Sequence, residues 1–183
     1  KFVSRIYFSQ QEVDAILQRN SVLEGDTTTD ETAEFEPLDT AVPKDTIEIY
    51  DVSAASFKGK MMVVYDPARV EVATLAQFSP GGEGKRLQTF IEDADAVGGV
   101  NGGGFADENG VGSGGMPLGI VIKGGKLVYG GPGTESSVIG FDENNRLLVG
   151  RMTGQQALDK KMRDALSFGP AFIIDGTPSE ISG

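Results

Sequence analysis

The 183-residue chain contains no cysteine and no histidine. Without cysteine it forms no internal disulfide and carries no thiol nucleophile or thiolate metal site. Without histidine as well, serine–histidine triads, cysteine–histidine dyads and the usual zinc sites cannot be assembled from these residues alone. Any chemistry must rest on carboxylates, amides, hydroxyls, Lys, Arg or main-chain N–H groups. Long hydrophobic runs are missing too, since no stretch approaches the ~20 apolar residues of a membrane span. Positive charge is scarce: 16 Lys and Arg stand against 27 Asp and Glu, a net charge of −11. Such a balance repels nucleic-acid phosphate and anionic lipid, so nucleic acid is not an expected partner. The chain opens on Lys1 rather than Met and shows no signal peptide, which reads as a trimmed N-terminus.

What is present is the composition of a soluble globular domain, 39% hydrophobic and 23% charged. A chain of this length buries roughly 70% of the surface its unfolded form exposes, so one domain is expected. Ser9 and Glu12 have capping-box spacing, and Val13, Ile16 and Leu17 follow at helical intervals, predicting a helix over residues 10–19. From Glu24 to Thr40 the chain carries seven acids and no base, the composition of a solvated linker, with Phe35 and Leu38 as its local anchors. Strands are expected at "TIEIYDV" from Thr46, "KMMVVYD" from Lys60 and "VEVATLA" from Val70, with "DPAR" as a turn, giving an antiparallel meander. Leu87, Phe90 and Ile91 share one face of an expected helix over residues 85–94. "GIVIKGGKLVYG" reads as a hairpin around Gly124-Gly125, and "SSVIGFDENNRLLVGRM" as another turning at Glu143 to Asn145. A last helix over residues 155–166 and a buried strand over residues 171–174 complete an α+β fold with a largely antiparallel or mixed β-sheet and a few flanking helices.

The stretch "VNGGGFADENGVGSGG" from Val100 holds seven glycines in sixteen residues. So much missing side chain calls for unusual backbone geometry or for close approach to the main chain. Gly110 to Gly115 matches G-x-G-x-x-G in letters, but Met116 and Pro117 follow where a dinucleotide site needs a helix. "GGEGKR" at Gly81 has a Gly-Lys pair without the Ser or Thr of a nucleotide loop. Asp107 and Asn109 supply two alternating oxygens of a calcium loop while Val111 occupies a third ligand position, so calcium is a weak alternative to no cofactor at all, as it is for the acidic run. Asn101, at the end of an apolar segment, has a carboxamide that donates and accepts, and Gly102, Gly103 and Gly104 let a sugar or phosphate approach the bare backbone.

In this order and spacing, "VNGGGFAD", "GGMPLGIVIKGGKLV", "IGFDENNRLLVG" and "SFGPAFIIDGTP" resemble the phosphodiester glycosidase family. That family has the catalytic domain of N-acetylglucosamine-1-phosphodiester alpha-N-acetylglucosaminidase and of bacterial exopolysaccharide-biosynthesis-like proteins. The resemblance runs from about Thr46 to Gly183, and residues 1–22 and 23–44 look like the helical segment and acidic linker that follow a membrane anchor in bacterial members. It implies Asn101, Asp107 and Asp175 as catalytic residues. Gly102, Gly103, Gly104, Phe105, Ser167 and Gly169 are implied as substrate-binding, and no metal is implied. Phe105 reads equally as a core residue, and Asp175-Gly176 equally as a hairpin turn.

Two family features do not occur in this sequence: a Pro-Arg-Thr-Ala-Ile-Gly strand and a later Asp-Gly-Gly-Ser turn. Their Arg and Asp are natural candidates to neutralise phosphate and to move a proton, so the chain is expected to hold half of a site. The expected reading is an extracytoplasmic, cell-surface hydrolase of a sugar 1-phosphodiester, with a non-catalytic glycan-binding module as the alternative. Carbohydrate or sugar phosphate is the expected ligand. A C-terminal segment present as a separate chain is the expected partner of the "AFIIDG" strand.

Overall fold

The computed structural model describes residues 9, 11–12, 28–30, 32, 41–106 and 112–178. The N-terminal capping box is in place: the Glu12 N–H donates to Ser9 Oγ at 3.3 Å and the Ser9 N–H to Glu12 Oε2 at 2.8 Å. Gln11 and Glu12 are helical, and the rest of the expected helix and most of the acidic linker lie outside the described residues.

β1 (Ile47–Ala54) and β2 (Phe57–Val64) pair as an antiparallel hairpin, with Ile47 opposite Val64 and Ala54 opposite Phe57. A 3-10 turn at Pro67–Arg69 follows, capped by the Asp66 side chain on Ala68 N–H, as the "DPAR" pattern predicts. The third strand of the expected meander does not form. Side chains rather than a neighbouring strand satisfy that stretch: Arg163 Nη1 donates to Val70 O at 2.9 Å and Nη2 to Pro67 O at 2.8 Å. The Val72 N–H donates to Asp164 Oδ1 at 3.3 Å. The expected helix near Lys85 is α1 (Leu87–Asp93).

The core belongs to a five-stranded antiparallel sheet built from β3 (Val121–Lys123), β4 (Lys126–Tyr129), β5 (Glu135–Asp142), β6 (Leu147–Thr153) and β7 (Met162–Ser167), in the order β4-β3-β7-β5-β6. Gly124 and Gly125 turn the first hairpin with φ of 56° and 73°, the geometry a two-residue turn twisted with its strands requires. Asn145 turns the second at φ 63°, where Asp142 Oδ1 accepts from Asn144 and Arg146 N–H groups, both at 2.8 Å. One face of the sheet buries Ile120, Ile122, Val138, Leu148, Met152, Met162 and Ala165 together with Ala157 of α2 (Gly154–Asp159). Each fully buried large aliphatic there contributes about 1.5–3 kcal/mol. This is the expected α+β class with an antiparallel sheet.

Two expectations are corrected. The helix expected to reach Leu166 stops at Asp159, Lys161 turns the chain at φ 54°, and residues 162–167 form the central strand. Met162 and Ala165, at 1% and 0% exposure, explain the override. Phe141 pairs with Asp164 and Asp142 with Met162, so Arg163 is an extra residue. That bulge puts Met162 and Ala165 on one face, where sheet burial outweighs the helix propensity of Met, Arg, Ala and Leu. The buried strand expected at residues 171–174 is instead β8 (Ile173–Ile174), folded onto β9 (Thr177–Pro178) through Asp175 and Gly176 at φ 51° and 72°. Phe172 and Ile173 are 64% and 61% exposed because this turn folds the strand onto its own continuation instead of onto the sheet.

Part of the acidic segment is docked. The Thr29 N–H donates to Val149 O at 2.8 Å, and the Val149 N–H donates to Thr29 Oγ1 at 2.9 Å, along the outer side of β6.

Arg163 also donates to Asp164 Oδ2 at 2.6 Å, and Asp164 is only 7% exposed. Arg163→Ala removes these bonds and leaves a buried carboxylate unpaired, so it is expected to cost about 2–3 kcal/mol in urea unfolding, with Arg163→Lys recovering only part. A loss under about 0.5 kcal/mol, the scale of an ordinary surface change, would contradict this account of the Val70 stretch.

Candidate functional site

The glycines after Asn101 bring main chain against β7. The Gly104 N–H donates to Ser167 O at 3.2 Å, and Gly104 O accepts from the Leu118 N–H at 2.9 Å. The Ala106 N–H donates to Met116 O at 2.8 Å, and Phe105 bridges to Pro117. A Cβ on Gly102 would stand 2.8 Å from Leu166 Cδ2, so this segment passes close over the central strand and a side chain here would require Leu166 to turn aside.

A second set of glycines locks two loops together. The Gly84 N–H donates to Ser113 O at 2.6 Å, the Ser79 N–H to Gly115 O at 3.3 Å, and Glu83 bridges to Gly114, whose φ is 76°. A Cβ on Gly115 would overlap the Gly82 carbonyl. α1 closes the same region, with Leu87 Cδ1 and Ile91 Cγ1 within 3.3 Å and 3.2 Å of where a Gly99 Cβ would sit.

Between these loops lies an open groove of about 400 Å³. Asn101, Gly103, Gly104 and Phe105 line it, together with Lys85, Arg86, Thr74, Phe78 and Ser113. Phe105 is 41% exposed, which makes it a wall residue rather than core. Lys85 Nζ pairs with Asp93 Oδ2 at 2.7 Å and lies 5.9 Å from the Phe90 ring centroid. Both partners of the pair are about half exposed, so it contributes under about 1 kcal/mol. Lys85, Arg86, Thr74 and Ser113 are lining residues that motif reading passed over. The "GGEGKR" segment is the visible signal for Lys85 and Arg86 alone.

The other expected site residues lie elsewhere. Ser167 is 6% exposed, and its hydroxyl accepts from the Ile120 N–H at 2.8 Å and bonds Ser136 Oγ at 2.8 Å. Its side chain is therefore structural, and only its carbonyl reaches the groove wall, through Gly104. The same bond engages the Gly104 N–H, which corrects the expectation that this group faces a ligand. Gly169 precedes Pro170 through a cis peptide and does not line the groove. Asp175 sits in the β8–β9 turn, where its Oδ2 accepts from the Asp30 N–H at 2.8 Å, away from the groove. Asp107 and the rest of the weighed calcium loop, residues 107–111, lie outside the described residues. Among the described residues, no cluster of three acidic, His or Cys side chains is arranged to hold a metal, and no helix is long and apolar enough to cross a membrane.

The glycine-walled groove thus carries two cations and an amide and is set, through Gly104, against the central strand of an α+β domain. Residues 94–183, just under half of the chain, match the family model described as phosphodiester glycosidase. Proteins of that description are hydrolases that act on carbohydrate. The match begins after β1, β2 and α1, so Asn101 to Phe105 fall within it while Lys85 and Arg86 precede it. No curated protein and no solved structure matches the chain significantly.

Ser167→Ala leaves the buried Ile120 N–H without an acceptor and is expected to lower stability by about 1–3 kcal/mol while leaving ligand affinity at the groove unchanged. Thermal unfolding and titration with glucose 1-phosphate, run on the same variant, check this. Intact stability with lost affinity would restore the hydroxyl to the site.

Proposed function

We propose that the protein hydrolyses a sugar 1-phosphodiester in an envelope glycan or exopolysaccharide and releases a reducing sugar. The observation that carries this reading is the convergence of Asn101, Gly103, Gly104 and Phe105 on one groove inside the family-matched segment. The Asn101 carboxamide hydrogen-bonds the sugar or a phosphate oxygen, the Gly103 N–H faces the phosphate, and the Phe105 ring packs against the sugar, while Gly102, expected to bind substrate, does not line the groove. Asp107, two residues after the lining residue Phe105, is the carboxylate that the family resemblance implies as the proton carrier. The acidic, cysteine-free composition suits an extracytoplasmic location.

One observation favours a second reading, a glycan-binding module without turnover: no carboxylate lines the groove among the described residues.

Full-length protein is expected to release reducing sugar from model sugar 1-phosphodiesters, and Asn101→Ala to slow that release about a hundredfold, the scale of losing one transition-state hydrogen bond. Saturable glycan binding with no release above the variant's background, across several sugars, would favour the binding module and end the hydrolase reading.

A further inference from the structure

We infer that Arg86 is the phosphate-binding cation of the groove, holding two oxygens of the substrate's phosphodiester through its guanidinium. This rests on the sugar-phosphodiester reading of the same site. Three other arginines are engaged: Arg69 donates to Asp45 O at 2.6 Å, Arg151 to Glu135 Oε2 at 2.9 Å, and Arg163 to Asn145, Val70, Pro67 and Asp164. Lys85 is paired with Asp93. The Arg86 guanidinium lines the groove and meets no hydrogen-bond or ion-pair partner among the described residues.

Its backbone is nevertheless fixed on both sides. Two residues before it, the Gly84 N–H is bound to Ser113 O, and one residue after it Leu87 packs on Gly99, two residues before Asn101. Arg86 and Asn101 therefore share one rigid frame, while the side chain of Arg86 stays open to a ligand. A phosphodiester is a monoanion with two free oxygens, and the planar guanidinium matches that pair in a way an ammonium does not. In a chain of net charge −11, an uncompensated cation in a groove is also the local feature that admits an anion.

The test uses the full chain and titrates glucose 1-phosphate, inorganic phosphate and uncharged glucose by 31P and proton NMR. Arg86→Gln is expected to weaken both phosphate ligands about tenfold and to leave glucose unchanged, with Arg86→Lys in between. Lys58→Gln, the same charge change on the exposed β2 strand, is expected to alter affinity less than twofold. Equal weakening by Lys58→Gln, or wild-type phosphate affinity in Arg86→Gln, overturns the assignment. The two readings separate cleanly. Hydrolysis that depends on Asn101 but is indifferent to Arg86→Gln sinks the Arg86 assignment alone. Phosphate binding that depends on Arg86, without hydrolysis of any diester, sinks the hydrolase and keeps the anion site. Absence of both binding and hydrolysis overturns the two together.

Discussion

Strand β7 is the constraint on which the rest depends, because six consecutive residues serve the sheet, the loops and the groove at once. Met162 and Ala165 enter the core, Arg163 and Asp164 clasp the stretch after the 3-10 turn, and Ser167 ties β3 to β5 through its hydroxyl. The carbonyl of Ser167 then holds Gly104, so the groove wall is registered directly against the most buried strand. A site hung on a central strand inherits its rigidity, which a loop anchored only to other loops would lack. The bulge at Arg163 makes this multiplicity possible, since it resets side-chain alternation within one short strand.

The glycines solve a different problem. Three stretches of main chain, around Gly84, Gly104 and Gly115, pass within hydrogen-bonding reach of other backbone, and a methyl group at Gly115 would separate its stretch from Gly82. What the glycine-rich stretch mainly accommodates is therefore the protein's own chain, and the ligand groove is the space left between the loops so joined.

Much of the fold was legible before any coordinates. Gly124-Gly125 and the Glu143 to Asn145 turn announced their hairpins because positive φ has few sequence solutions. The α1 helix and the Ser9–Glu12 capping box are visible for similarly local reasons. The strand at residues 162–167 was not, because Met, Arg, Ala and Leu favour helix and only the long-range pairing with β3 and β5 overrides them. The site divided along the same line. Asn101 and Phe105 were found through motif order, whereas Lys85 and Arg86 reach the groove by loop pairing that no local pattern encodes. For Ser167 the motif names a position without saying whether hydroxyl or carbonyl faces the groove, and the hydroxyl is taken up by Ile120 and Ser136.

The docking of Thr29 on β6 has a colloidal consequence. β6 ends the five-stranded sheet, and a bare terminal strand is a template for pairing with another molecule. The Thr29 main chain and hydroxyl occupy both hydrogen-bonding groups of Val149 on that outer edge. Beside it Asp30 carries a carboxyl held below its ordinary range by hydrogen bonds from the Thr32 hydroxyl and N–H, so the charge persists into mildly acidic conditions. A segment that composition marks as mere spacer thus acts as a gatekeeper, presenting fixed negative charge at the place where two copies of the sheet would otherwise zip together.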